Sequence, residues 1–176
     1  MFESKLTNED AQFLTAGNKI DVMLENARFE EIDGNPLRAR KIYEQLENEI
    51  CPGYIKSALA RINFEKRDGK FEKAKELYYH HFLCSLNKND ELAVTVIATQ
   101  YSRFLSTKCH DHNRALDIMD QAISNKSVAN KVLYLSFISL AQSQTESAAR
   151  VPLIYKKALA HLEGINDKTS VKYRDL

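Results

Sequence analysis

Cys109-His110-Asp111-His112 is the densest run of potential metal ligands in the sequence. Thiolates and imidazoles hold zinc, but a structural site needs a second ligand pair at suitable spacing, and none is present. His80, His81 and Cys84 form a second group in which His80 and Cys84, at i and i+4, share one helix face, where packing is the simpler explanation. The phosphate-cradling GxxxxGK[ST] and GxGxxG, the nucleophile turn GxSxG and the zinc-hydrolase HExxH are all missing. No catalytic residue, metal ligand or cofactor is assigned, and the expectation is a scaffold rather than an enzyme.

Phosphate recognition is the other chemistry to weigh. Arg61, Lys66, Arg67, Lys70, Lys73 and Lys75 form the best basic stretch, with Phe64 and Tyr78 nearby. Glu65, Asp68, Glu72 and Glu76 interleave with it, and the net charge is only +1, so direct RNA contact is not expected. The charge is nevertheless uneven. Residues 1–50 carry 6 basic and 11 acidic side chains, whereas residues 101–176 carry 11 basic and 7 acidic ones, a polarity suited to orienting partners or a second copy.

The elements that must carry these residues are helical. The chain has 176 residues, 44% of them hydrophobic, with only 5 Gly and 3 Pro, a composition that favours an all-α fold. Three cysteines, odd in number and irregularly spaced, suggest no disulfide framework and fit a reducing compartment. No apolar run is long enough to span a bilayer, and MFESKLTNED lacks the basic and apolar regions of a signal peptide, so an intracellular protein without membrane contact is expected.

An internal repeat organises the helices. Phe29, Glu30, Asp33, Gly34, Ala39 and Tyr43 return as Phe64, Glu65, Asp68, Gly69, Ala74 and Tyr78, each 35 residues later, and Ile20, Leu24 and Ala27 return as Ile55, Leu59 and Ile62. Self-similarity at that period marks stacked helical hairpins. Hairpins are expected at about 8–51, 54–86, 91–125 and 128–164, forming one domain over 1–165, with a polar tail over 166–176. In the first, Thr7 and Asp10 resemble a helix start, Asp33-Gly34 a left-handed stop, and Asn35-Pro36 the cap and first position of the next helix. Cys51-Pro52-Gly53, Asp68-Gly69 and Asn87–Asp90 are further breakers. The third hairpin carries Tyr101, Phe104 and Ala115 around a longer loop, KCHDHN; the fourth carries Tyr134, Phe137, Ile154 and Ala158, with Pro152 either opening or kinking its second helix.

At each joint a small residue, Ala39, Ala74 or Ala115, lets two helices approach, and an aromatic of the first helix, Phe29, Phe64, Phe104 or Phe137, is expected to fill the space beside it. Glu30 with Arg40, and Glu65 with Lys75, keep one ten-residue separation that suggests a recurring ion pair across each turn.

An aromatic-Glu pair, a Gly turn and then Ala-Arg-x-Ile-Tyr-Glu resembles the half-a-TPR (HAT) repeat of RNA-processing scaffolds: here FEEIDG with ARKIYEQL, then FEKRDG with AKELYYHHF. CPGYIKSALARINFEKRDGKFEKAKELY, followed by QYSRFL at Gln100 to Leu105 and by RALDIMDQAI, is similar to the C-terminal half of the pre-mRNA-processing factor 39 family over Phe29 to Leu140. The chain has no Trp, which the first helix of such repeats commonly carries, and is shorter than a full family member, as a C-terminal fragment or a reduced relative would be. The resemblance implies an α-solenoid of HAT hairpins in the nucleus, working in mRNA splicing with proteins of the U1 small nuclear ribonucleoprotein at the 5′ splice site. It also implies pairing with a related HAT protein or formation of a homodimer. The fourth hairpin, with Tyr134, Phe137, Leu153, Ile154 and Tyr155, is the expected interface, since a repeat end exposes an apolar face. Two other scaffolds stay open: one of mRNA 3′-end cleavage, and a TPR-like peptide-binding adaptor, for which no regular basic clamp is visible.

Overall fold

Turn chemistry sets the helix ends. The computed structural model describes residues 16–143 and 145–172, which form helices α1 (Ala16–Ile32), α2 (Pro36–Gln45), α3 (Ile55–Arg67), α4 (Phe71–Asn87), α5 (Glu91–Lys108), α6 (His112–Ser124), α7 (Lys131–Gln142), α8 (Thr145–Ala148) and α9 (Val151–Lys172). Among the described residues all regular structure is helical, as the composition implies. The expected helix start at Thr7 lies outside them.

Asn35 caps α2, its side chain accepting from the Leu37 N–H at 2.8 Å, with Pro36 in the first turn. Asp90, Asp111 and Asn130 cap α5, α6 and α7 in the same way. Pro152 opens α9, where its missing N–H costs no helical bond. The second helix of the first hairpin ends in a π turn, Leu46–Ile50, before the expected breaker at Cys51.

Three local expectations change. Gly69 does adopt the left-handed conformation, with φ 74°, and the Lys70 N–H returns to the Glu65 carbonyl at 2.9 Å. Gly34 does not. A Cβ there would meet the flexible end of the Glu30 side chain and lie 3.0 Å from the Glu30 Cα, so Glu30 would have to move aside for a larger residue, while the next N–H, of Asn35, donates to the Glu30 carboxylate at 3.1 Å. The KCHDHN loop is shorter than expected, because Asp111 starts a helix at His112; the turn is made by His110 with φ 54°. Lastly, α9 continues through Gly164 to Lys172, so part of the expected tail is helical: one interior Gly costs about 1 kcal/mol relative to Ala and does not stop a helix by itself.

The chain divides into two compact units, Met1–Ala74 and Lys75–Leu176. In the first, α1 packs on α2, α2 on α3, and α1 on α3. In the second, α5 packs on α6, α6 on α7, α5 on α7, and α7 on α9. The order is the same in both: the first helix of a hairpin meets its own partner and the first helix of the next hairpin, and the second helix meets the next hairpin too.

Candidate partner-binding surfaces

The first unit's joint is built around Ala39, fully buried with Ala27, Tyr43 and Phe64. The Tyr43 and Phe64 rings lie 5.3 Å apart. Phe29, expected beside Ala39, is instead 60% exposed. The aromatic of a first helix therefore meets the second helix of the preceding hairpin, not that of its own. The second unit repeats this: Tyr78 of α4 stacks on Tyr101 at 5.1 Å and lies 5.7 Å from Phe104, both on α5. Ala74 and Ala115 are also fully buried.

The ion pairing follows the same rule and corrects the expected pair across the turn. Arg40 does not bond Glu30. Its Nε and Nη2 donate to the two oxygens of Glu65 at 2.9 and 3.0 Å, Nη2 donates to Asp68 at 2.6 Å, and the guanidinium lies 5.0 Å over the Phe64 ring. Glu30 is left with Arg38 at 3.9 Å and the Asn35 N–H. The fork of Arg40 satisfies a carboxylate that is 1% exposed, the arrangement that bidentate guanidinium geometry suits. Hydrogen bonding from Glu65 holds Arg40 more firmly protonated than usual, and Lys70 and Arg40 hold the Asp68 carboxyl below its ordinary range.

Sequence reasoning missed a buried group one turn away. Arg61 donates through Nη1 to Glu47, itself buried, and through Nη2 to Glu44 at 3.0 Å, from α3 to the end of the preceding hairpin. Arg67 donates to Glu31 at 2.8 Å, and the same carboxylate accepts from the Tyr43 hydroxyl at 3.4 Å. Burial and the Glu31 charge push the Tyr43 phenol up to about 12. Four members of the apparent basic stretch, Arg61, Lys66, Arg67 and Lys70, thus have side-chain oxygens as partners within the first unit. The only signal for this in the sequence was the acidic excess before residue 50 facing the basic residues after 60.

Neither candidate ligand group forms a centre. Cys84 Sγ and His80 Nε2 are 3.7 Å apart on one face of α4, as the i, i+4 spacing requires. Among the described residues no group of three or more His, Cys, Asp or Glu is placed to hold a metal. Ser106 Oγ lies 3.2 Å from His112 Nδ1, a possible nucleophile and base, but the buried Nε2 has no hydrogen-bond partner among the described residues, so nothing orients the ring as a base. Two open clefts lie among the described residues. One of about 530 Å³ in the first unit is lined by Glu30, Arg38, Lys41, Glu44 and Glu49, and one of about 330 Å³ in the second by Lys75, Glu76, Tyr79, Tyr101, Asp111 and Arg114. Charged, shallow walls suit a protein surface better than a small apolar ligand.

No family model, curated protein or solved structure matches this chain.

The residues expected at an interface separate into two sets. Tyr134, Phe137 and Ile154 are buried inside the second unit and cannot meet a partner without opening it. Leu153 and Tyr155 are exposed, as is Leu159 on the same helix. In the first unit the exposed apolar residues of α1 are Val22, Phe29 and Ile32. No described helix is long and apolar enough to cross a membrane.

Proposed function

We propose that the chain is a non-catalytic helical-repeat scaffold of pre-mRNA splicing, an α-solenoid of HAT-like hairpins that works in the nucleus by holding proteins of the U1 small nuclear ribonucleoprotein. The observation that supports the scaffold is the joint itself. Ala39, Arg40 and Tyr43 spend their side chains on Phe64, Glu65 and Asp68 of the next hairpin, and Tyr78 meets the next first helix in the same way. The most distinctive residues of the repeat are therefore consumed in stacking, which leaves binding to outward positions. The splicing assignment rests on the similarity of Cys51 to Tyr78 and of Gln100 to Leu105 to the pre-mRNA-processing factor 39 family. The full chain, tagged and used as bait in nuclear extract, is expected to recover U1 RNA with its proteins. Recovery of 3′-end cleavage factors without U1 RNA would transfer the scaffold to that process, and recovery of neither would remove both assignments.

A further inference from the structure

Helix α4 brings two potential zinc ligands together on an accessible surface of the second unit. His80 is exposed and Cys84 half-buried, and their i, i+4 spacing sets Cys84 Sγ 3.7 Å from His80 Nε2. In a tetrahedral zinc site, with Zn–S of about 2.3 Å and Zn–N of about 2.0 to 2.1 Å, a sulfur and a nitrogen ligand lie about 3.6 Å from one another. The pair therefore already holds one edge of that tetrahedron. Thiolate and imidazole are also the ligand types that zinc takes. The buried ring of His81, next in sequence, packs against that of His80 in a T-shaped contact with centroids 5.3 Å apart.

Two ligands are half of what a closed zinc site needs. All 5 His and all 3 Cys of the sequence fall within the described residues, and no third ligand among those residues joins this pair to hold a metal. A second copy of the chain supplies the same pair again, and the sum is Cys2His2, the set of a closed structural site. Two thiolates also cancel the charge of Zn²⁺, so the shared centre is neutral and is enclosed between copies without stranding an ion. A two-fold axis crossing α4 midway between residues 80 and 84 runs the two helices antiparallel and sets each His80 over the other copy's Cys84. One turn away on this face stand Glu76 and Asn87, both exposed and polar. Without the metal these positions give α4 no apolar reason to pair.

We infer that His80 and Cys84 form half of a zinc site that two copies of the chain complete, joining α4 to α4 about a two-fold axis. His80 binds through the Nε2 lone pair of the neutral imidazole. Each Cys84 thiol gives its proton to solvent as its Zn–S bond forms, so one proton leaves from each chain. Self-association is thereby tied to zinc and placed on α4, away from the fourth hairpin. The pairing is independent of the splicing assignment, so the extract experiment and the one below fail separately.

The test is zinc titration of the full chain, stripped with a chelator and kept reduced by a non-thiol reductant so that no disulfide between copies mimics the effect. Sedimentation velocity should show zinc converting the chain to a dimer that holds one zinc per two chains, and chelator should reverse it. Cobalt(II) in place of zinc should give the intense visible bands of a tetrahedral ion together with thiolate-to-cobalt charge transfer. H80A and C84A should each bind zinc at least about tenfold more weakly, since even an outer partner of a metal ligand is worth that much, and should lose the zinc-dependent dimer. Far-UV circular dichroism should be unchanged in both, and C109S should behave as the unaltered chain. No zinc binding, one zinc on each monomer, a dimer indifferent to zinc, or zinc binding that survives H80A and C84A would each overturn the shared site.

Discussion

Phe29 and Phe64 hold the same place in the repeat and have opposite fates: Phe64 is buried against Ala39 and Tyr43, whereas Phe29 is exposed. Phe64→Ala should therefore cost about 3 to 5 kcal/mol, and Phe29→Ala no more than about 0.5 kcal/mol, in urea unfolding followed by circular dichroism. Equal losses at the two sites would contradict the observed packing. The tyrosines of the joints make a second prediction. Burial pushes Tyr43 and Tyr78 up to about 12, while an unfolded phenol titrates near 10. The folded state then holds its protons longer, so the stability tied to these groups is complete below about pH 10 and is lost as pH rises toward about 12. Melting temperature should fall between pH 9 and 11.5, and the fall should be smaller in Tyr78→Phe. At this scale the identities of joint residues were legible in the sequence, since Ala39, Tyr43 and Phe64 recur at a fixed offset. Their partners were not. Periodicity reports which residues share a role, but it does not say whether Arg40 turns toward Glu30 or toward Glu65.

Helices were placed well because their ends are chemical: Asn35-Pro36, Asp68-Gly69 and Asp90 each satisfy backbone groups in a way their types announce. Errors arose where one residue type serves two purposes. Gly34 resembles Gly69 in sequence yet does not adopt the left-handed conformation, and Gly164 lies within α9. Between α2 and α3 the fork from Arg40 to Glu65 invites a direct test. Arg40→Ala leaves a buried carboxylate unpaired and should cost about 3 to 5 kcal/mol, whereas adding Glu65→Leu to it should restore much of that loss. If the double variant were no more stable than the single one, the pair would not be the reason for the cost.

For the whole molecule, contacts run mostly between elements near in sequence within each unit, so the effects of damage should stay local. In native-state hydrogen exchange, Phe64→Ala is expected to speed exchange across residues 16–74 while protection over 91–142 changes little. Uniform loss of protection would show one cooperative block. The interface proposed at the fourth hairpin shrank for a reason at this scale too. Aromatic residues in a late repeat signal an apolar end only if they stay uncovered, and Tyr134 and Phe137 are buried in the unit where α9 packs on α7.

The joint between α2 and α3 has a consequence for descent. Because the side chains that define a unit bond forward to the next one, a gene duplication or loss of one 35-residue period yields another legitimate junction and no new kind of surface. The Phe of this pattern is then a core residue wherever a neighbouring helix packs on it, as at Phe64, and a surface residue wherever none does.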